Sequence, residues 1–359
     1  MLGGRWAALA AVVVIVTGLA GCSGSSKPPG TDIAIVTPGT RDDPDWTAQH
    51  VRAIQKIAHR LHVRAVIVDG SKATNVRAAI ERAGAHAQLL DVPYPGDRAT
   101  AMAVAARTHV PTLVWGDPRA LRKDHVADLE YAAAAGAYGM GAMSIHASLF
   151  RAVGIVLCNE AEPLEMANRY RMASDYVAGA LAQNPKSYIF YQHTGDGSPV
   201  SDAQAQAATE RLARKGRAIR ASGFVEPGAE FVFADCGKAM AGVMKGVIRA
   251  DAEHQMVAVT GEKTSVNQNN MLLTTIRVHP EIAIEQALRD IRAGRFGTHA
   301  YTLDFANRGA SLYRTGRTPS DAWDAGFLLT RKASAGQVTL PEATTEAALE
   351  QYLAGKLAQ

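Results

Sequence analysis

The chain has 359 residues, 47% of them hydrophobic and only 6% aromatic, enough apolar material to fill two cores of ordinary domain size. Its 38 Lys and Arg stand against 34 Asp and Glu, and the formal charge of +4 is spread along the chain without a basic stripe. With no nucleic-acid motif present, that balance excludes nucleic acid from the expected partners.

In chain order, Arg5 and the apolar run from Trp6 to Thr17 make a positive segment followed by a hydrophobic one too short to cross a bilayer. Leu19-Ala-Gly-Cys22 follows and matches a bacterial lipobox. The expectation is a signal peptide over 1–21, cleavage before Cys22, acylation of that thiol with palmitate and an extracytoplasmic, lipid-anchored protein on the cell membrane. Residues 22–31 contain SGSSKPPG, a composition that cannot bury enough surface to order itself and reads as a tether.

Strand and helix patterns then alternate every 20 to 30 residues. Strands are expected at Asp32–Thr37, Arg64–Asp69, Ala87–Val92 and Thr112–Gly116, with helices from about Asp45 to Leu61, Thr74 to Ala83 and Asp97 to Arg107. Glu130 to Ser148 is rich in Ala and Gly and reads as a closely packed helix. The series restarts at Ala152–Cys158, with a helix over Glu165–Leu181, a strand at Ser187–Tyr191 and a helix over Ala203–Lys215. Phe231–Cys236 is a short apolar run suited to a strand buried on both faces. A glycine turn from Gly237 and helical spacing to Arg249 come next. Strands at Met256–Thr260 and Met271–Ile276 flank a polar loop, and a helix is expected over Glu281–Ala293. Beyond Pro319 the chain reads as a packed tail ending in a helix from about Thr344 to Leu357. This pattern favours α/β architecture with two doubly wound parallel sheets.

Three segments carry a family resemblance: Cys236-Gly-Lys-Ala-Met-Ala-Gly-Val243, Val257-Ala-Val-Thr-Gly-Glu-Lys263 and Leu273-Thr-Thr-Ile-Arg277. In order and spacing they resemble the second lobe of the basic membrane protein (Bmp) family of substrate-binding lipoproteins of ABC transporters. The resemblance covers most of residues 32–315. It implies a type I periplasmic-binding-protein fold, two lobes joined by a three-stranded hinge. Lobe 1 would span 32–150 plus 273–297, lobe 2 would span 151–272 plus 298–318, and 319–359 would form the tail, with crossovers near 150, 272 and 297. It also implies a monomer that captures a small molecule, a purine nucleoside or related heterocycle, and delivers it to an ABC permease. A ligand-sensing lipoprotein that signals to a receptor and an exported nucleoside hydrolase are the alternative functions.

The site residues follow from the same matches. Asp43, Trp46 and Thr47 stand at the family's Asp, Phe and Asn positions after the first strand. Trp46 keeps a stacking face, and packing on the sheet is its competing role. Tyr94 follows the third strand between two prolines, as a cleft aromatic or a turn residue. Asp117 closes the fourth strand, as a ligand contact or a turn former. Gly237 and Lys238 open the glycine turn. Thr260 stands where the family has the Asp that grips ribose, Glu262 and Lys263 replace the next two positions, and Arg277 replaces a Lys. These departures admit an anionic or differently shaped ligand. The fold would place Cys158 and Cys236 on neighbouring strands, leaving both a disulfide and two buried thiols open, since adjacent parallel strands are not ideal for bridging. No nucleophile elbow, phosphate loop or paired-histidine motif occurs, so neither catalysis nor a cofactor or metal is expected.

Overall fold

The computed structural model describes residues 30–39, 44–72, 75–116, 125–159, 163–195, 200–214, 228–250, 255–258 and 271–357. The first series comprises strands β1 (Asp32–Thr37), β2 (Ala65–Asp69), β3 (Ala87–Val92), β4 (Thr112–Trp115) and β5 (Val126–Tyr131), with helices α1 (Pro44–Leu61), α2 (Val76–Gly84) and α3 (Arg98–Thr108). Helix α4 (Ala134–Ala147) leads to the second series. Its strands are β6 (Ala152–Cys158), β7 (Tyr188–Thr194), β8 (Phe231–Asp235), β9 (Gln255–Ala258) and β10 (Leu272–Val278), with helices α5 (Pro163–Gln183), α6 (Asp202–Arg214) and α7 (Met240–Ala250). Helix α8 (Pro280–Arg292), strands β11 (Tyr301–Leu303) and β12 (Ala310–Arg314), and helices α9 (Ser320–Ser334) and α10 (Glu346–Leu357) complete the chain.

Two six-stranded sheets result, ordered β11-β5-β4-β3-β1-β2 and β12-β10-β9-β8-β6-β7. Every pairing is parallel except β10 with β12. The two orders are the same when each lobe is counted from its own first strand, with the reversal of direction falling beside β1 in one and β6 in the other. Those interior strands are buried along their whole length, as DIAIVT and AVGIVLC require when helices cover both faces. Among the described residues, no helix is long and apolar enough to cross a membrane.

The lobe boundaries differ from those expected. Helix α4 packs on α5, β6 and β10 and so belongs to the second lobe, which moves the first crossover from about 150 to the link between Tyr131 and Ala134. Gly141 and Gly179 allow it: a Cβ on Gly141 would lie 1.9 Å from the Tyr176 carbonyl oxygen, and one on Gly179 would lie 1.8 Å from that of Tyr138. Strand β10 stays in the second sheet, so the chain returns to the first lobe after Val278 rather than at 272, and α8 packs on α1. Strand β11 lies in the first sheet and β12 in the second, so the last crossover runs between Leu303 and Ala310 rather than at 297. The three crossovers are tied side by side. The Ala132 amide donates to the Leu303 carbonyl at 3.1 Å, and the His279 amide donates to the Gly309 carbonyl at 2.8 Å.

Two elements differ from the sequence reading more strongly. Residues 130 and 131 end strand β5 and do not begin a helix. The tail carries the long helix α9, which packs on the opposite side of α4 from an otherwise unexpected position. Gly139 and Gly326 make that second approach close, since a Cβ on Gly326 would meet the Gly139 carbonyl oxygen at 2.6 Å.

Candidate functional site

A cleft of about 490 Å³, counting the part open to solvent, lies where the carboxyl ends of the two sheets meet. Open α/β sheets bind ligands at that end, beside the strand where the order reverses. From the first lobe come Trp46, Pro93, Pro95, Trp115 and Tyr131; from the second come Glu165, Asn168, Arg169, Met172, Asp235 and Gly237.

The first-lobe wall is aromatic. Trp46 enters from the first turn of α1, Trp115 ends β4 and Tyr131 ends β5. The Trp46 and Trp115 rings meet edge to face with centroids 5.0 Å apart, and Tyr131 lies 5.5 Å from Trp46 and 6.2 Å from Trp115. Behind Trp46, one helical turn along α1, His50 packs its ring at 4.7 Å. His50 Nδ1 lies 2.9 Å from Asp91 Oδ2, and both side chains are completely buried. This pair ties α1 to the centre of the sheet and holds the helix face that carries Trp46.

The second-lobe wall is charged. Arg169 projects from α5 and is 1% exposed. Its Nη1 donates to the Cys158 carbonyl at 2.7 Å, its Nη2 donates to Glu165 Oε1 at 2.5 Å, and its Nε faces Asp235 Oδ1 at 3.3 Å. A buried guanidinium is sustained only when its fork is matched by acceptors in this way. Asp235 ends β8, whose other residues are apolar and buried. Across the cleft, burial raises the Tyr131 phenol well above its ordinary pKa, and the charge of Asp235 raises it further. Tyr131 is therefore a neutral hydroxyl facing a carboxylate of the other lobe. Gly237 follows with φ of +46°, the left-handed region that glycine enters without a side-chain clash.

Of the residues expected from sequence, Trp46 and Gly237 line this cleft. Thr47, the next residue of α1, is not among the lining side chains, and its Oγ1 is buried without a hydrogen-bond partner. Tyr94 is buried beside the site, whereas its neighbours Pro93 and Pro95 form the lining. Lys238 is exposed on the turn and outside the lining. Arg277 is also outside it. The guanidinium carbon of that residue sits 3.6 Å from the centroid of Tyr313, across the β10–β12 pair. Asp43, Asp117, Thr260, Glu262 and the expected acylation site Cys22 lie outside the described residues.

Sequence reasoning missed Trp115, Tyr131, Glu165, Arg169 and Asp235. Trp115 and Asp235 had a usable signal, each being the last residue of an apolar run in a sheet whose strand ends face the cleft. Cys158 and Cys236 form a disulfide with Cα atoms 4.7 Å apart. The bridge forms just past the paired register, Leu157 opposite Asp235, where Cys236 has already left extended geometry with ψ of 16°. Among the described residues, no group of three or more His, Cys, Asp or Glu is placed to hold a metal ion.

Neither a protein-family model nor a curated protein matches the sequence. Solved structures do match in shape. An ABC transporter solute-binding protein from Conexibacter woesei superposes with a TM-score of 0.69 at 20% identity, over 88% of this chain and all of that one. A solute-binding protein of an ABC transporter system from Aeropyrum pernix gives 0.65 at 14% identity, over 91% and 97%. The Caulobacter myo-inositol-binding protein, bound to myo-inositol, gives 0.53 at 15% identity, over 88% and 100%. At these identities the likeness establishes the architecture: the chain has the fold of type I periplasmic binding proteins.

Proposed function

We propose that this chain is an extracytoplasmic, lipid-anchored solute-binding protein that closes its two lobes on a small molecule and delivers it to an ABC importer. The observation that carries the reading is the opposition of an aromatic wall and a charged wall at the carboxyl ends of two sheets that three short crossovers join. Such a cleft buries a flat ligand against rings that lose little entropy and fixes its polar groups by directional bonds. Hinge motion at the crossovers admits and releases it. The printed descriptions of two similar structures as solute-binding proteins of ABC transporters support the same role.

The ligand is a purine nucleoside or related heterocycle. Trp46 and Trp115 provide the stacking face, and the carboxylates of Glu165 and Asp235 provide hydroxyl acceptors in place of the one that Thr260 lacks. The test is a thermal-shift screen of residues 31–359 against nucleosides, bases, sugars and flavins. One class is expected to raise the melting temperature, with about 2.7 kcal/mol of stabilisation at a hundredfold excess over Kd. A response to sugars alone removes the heterocycle, and no response to any class removes the solute-binding reading for all four.

A further inference from the structure

The disulfide lies directly behind the charged wall, where the strand order of the second sheet reverses between β6 and β8. From β6 the chain leaves toward α5, while from β8 it leaves toward α7, which packs with α6 on the other face. The parallel ladder between the two strands ends with Leu157 opposite Asp235. One residue beyond that point the Cys158–Cys236 bond carries the connection further, with the Cα atoms 4.7 Å apart.

That residue matters because both strand ends hold the same guanidinium. Cys158 supplies the carbonyl that accepts from Arg169 Nη1, and Asp235, next to Cys236, supplies the carboxylate facing Arg169 Nε. Gly237, on the other side of Cys236, lines the cleft. If the strand ends separated, Arg169 could keep its carbonyl or its Asp235 contact but not both. The first lobe has no cysteine at its corresponding reversal. There the buried His50–Asp91 pair ties α1 to β3.

We propose that the Cys158–Cys236 disulfide is a positioning element of the binding cleft. It fixes the spacing of the β6 and β8 ends and so presents Asp235 and Arg169 to the ligand as one rigid unit. The inference rests on the solute-binding reading, and it makes the covalent bond specific to the charged wall and not to the aromatic one.

A double-mutant cycle on residues 31–359 tests it, with the best ligand of the screen as probe. Cys158→Ala/Cys236→Ala is expected to weaken binding about tenfold, and Asp235→Asn by a similar factor, with the two losses overlapping when combined, as for residues acting through one contact network. Trp46→Ala, combined with the cysteine pair, is expected to multiply its loss in full. Unchanged affinity in the cysteine variant, or losses that multiply for Asp235→Asn as they do for Trp46→Ala, would overturn the proposal. Should the double-alanine protein not fold, wild-type protein reduced with a phosphine takes its place in the cycle. Should the disulfide-bonded protein bind no member of the screen, the solute-binding reading fails separately. Amide hydrogen exchange then decides the positioning role: faster exchange at 235–239 on loss of the bond, with β1 and β3 unchanged, supports it, and equal exchange refutes it.

Discussion

The two lobes share one strand order but bring different chemistry to the cleft. The first presents Trp46, Trp115 and Tyr131, packed against one another and backed by a buried His50–Asp91 pair. The second presents Arg169 between Glu165, Asp235 and a backbone carbonyl, with a disulfide behind it. Duplicated architecture thus fixes where the cleft lies, while the residues at the strand ends decide what chemistry each half offers there. The aromatic half offers area for stacking. The charged half demands matched hydrogen bonds, because an unmatched polar group in a water-excluded site is costly.

The largest effect should come from breaking the charged wall. Arg169→Met removes a buried cation from between two carboxylates and is expected to cost about 3–5 kcal/mol of stability in urea denaturation. A loss under about 1 kcal/mol would mean that the network is a solvated surface pair of the ordinary kind. Next comes the aromatic wall. Trp46→Ala should weaken ligand binding by about 2 kcal/mol or more, measured by calorimetric titration, as for large aromatic anchors in other interfaces. Unchanged affinity would place the stacking site elsewhere.

A smaller effect sharpens the contrast within one helix. Along α5, both Nη atoms of Arg169 donate hydrogen bonds and its Nε faces the Asp235 carboxylate, whereas Asp175, also buried, has no hydrogen-bond partner on either oxygen. Burial raises its pKa well above the ordinary carboxylate value, Arg171 opposes the shift and Glu342 adds to it. A folded pKa above the unfolded one means that the folded state holds the proton more tightly. Its contribution to stability is therefore full below the unfolded pKa of about 3.9 and is lost as pH rises toward the folded value. Asp175→Asn should accordingly stabilise the protein more at pH 8 than at pH 5, and an equal effect at both would show that the carboxyl is not held neutral.

Much of the architecture was legible because apolar runs of four to seven residues alternated with helical spacing, while Trp46 and Gly237 were reached through the family resemblance. What was hidden depended on partners far along the chain. Val126–Tyr131 does not read as a buried strand because Asp128 and Glu130 interrupt it. In the fold Asp128 is buried against Arg98 at 3.0 Å, a contact that no local pattern announces. Reading Glu130 as the start of a helix removed Tyr131 from the cleft. The Glu165–Arg169 pair has the i, i+4 spacing of an ordinary exposed helix pair, and only the docking of α5 against β6 and β8 turns it inward. The crossovers were misplaced for a related reason: α4 follows the first sheet in sequence, but its glycines fit it to α5 of the second lobe.

The central claim is that ligand is held between the two walls, and the tryptophans report on it. With Trp323 changed to Phe in residues 31–359, Trp46 and Trp115 are the remaining indoles, both in the cleft. Titrating this protein with a ligand identified by thermal shift should give a saturable change in tryptophan emission, with a Kd equal to that from calorimetry. Calorimetric binding that leaves the emission unchanged would contradict the claim.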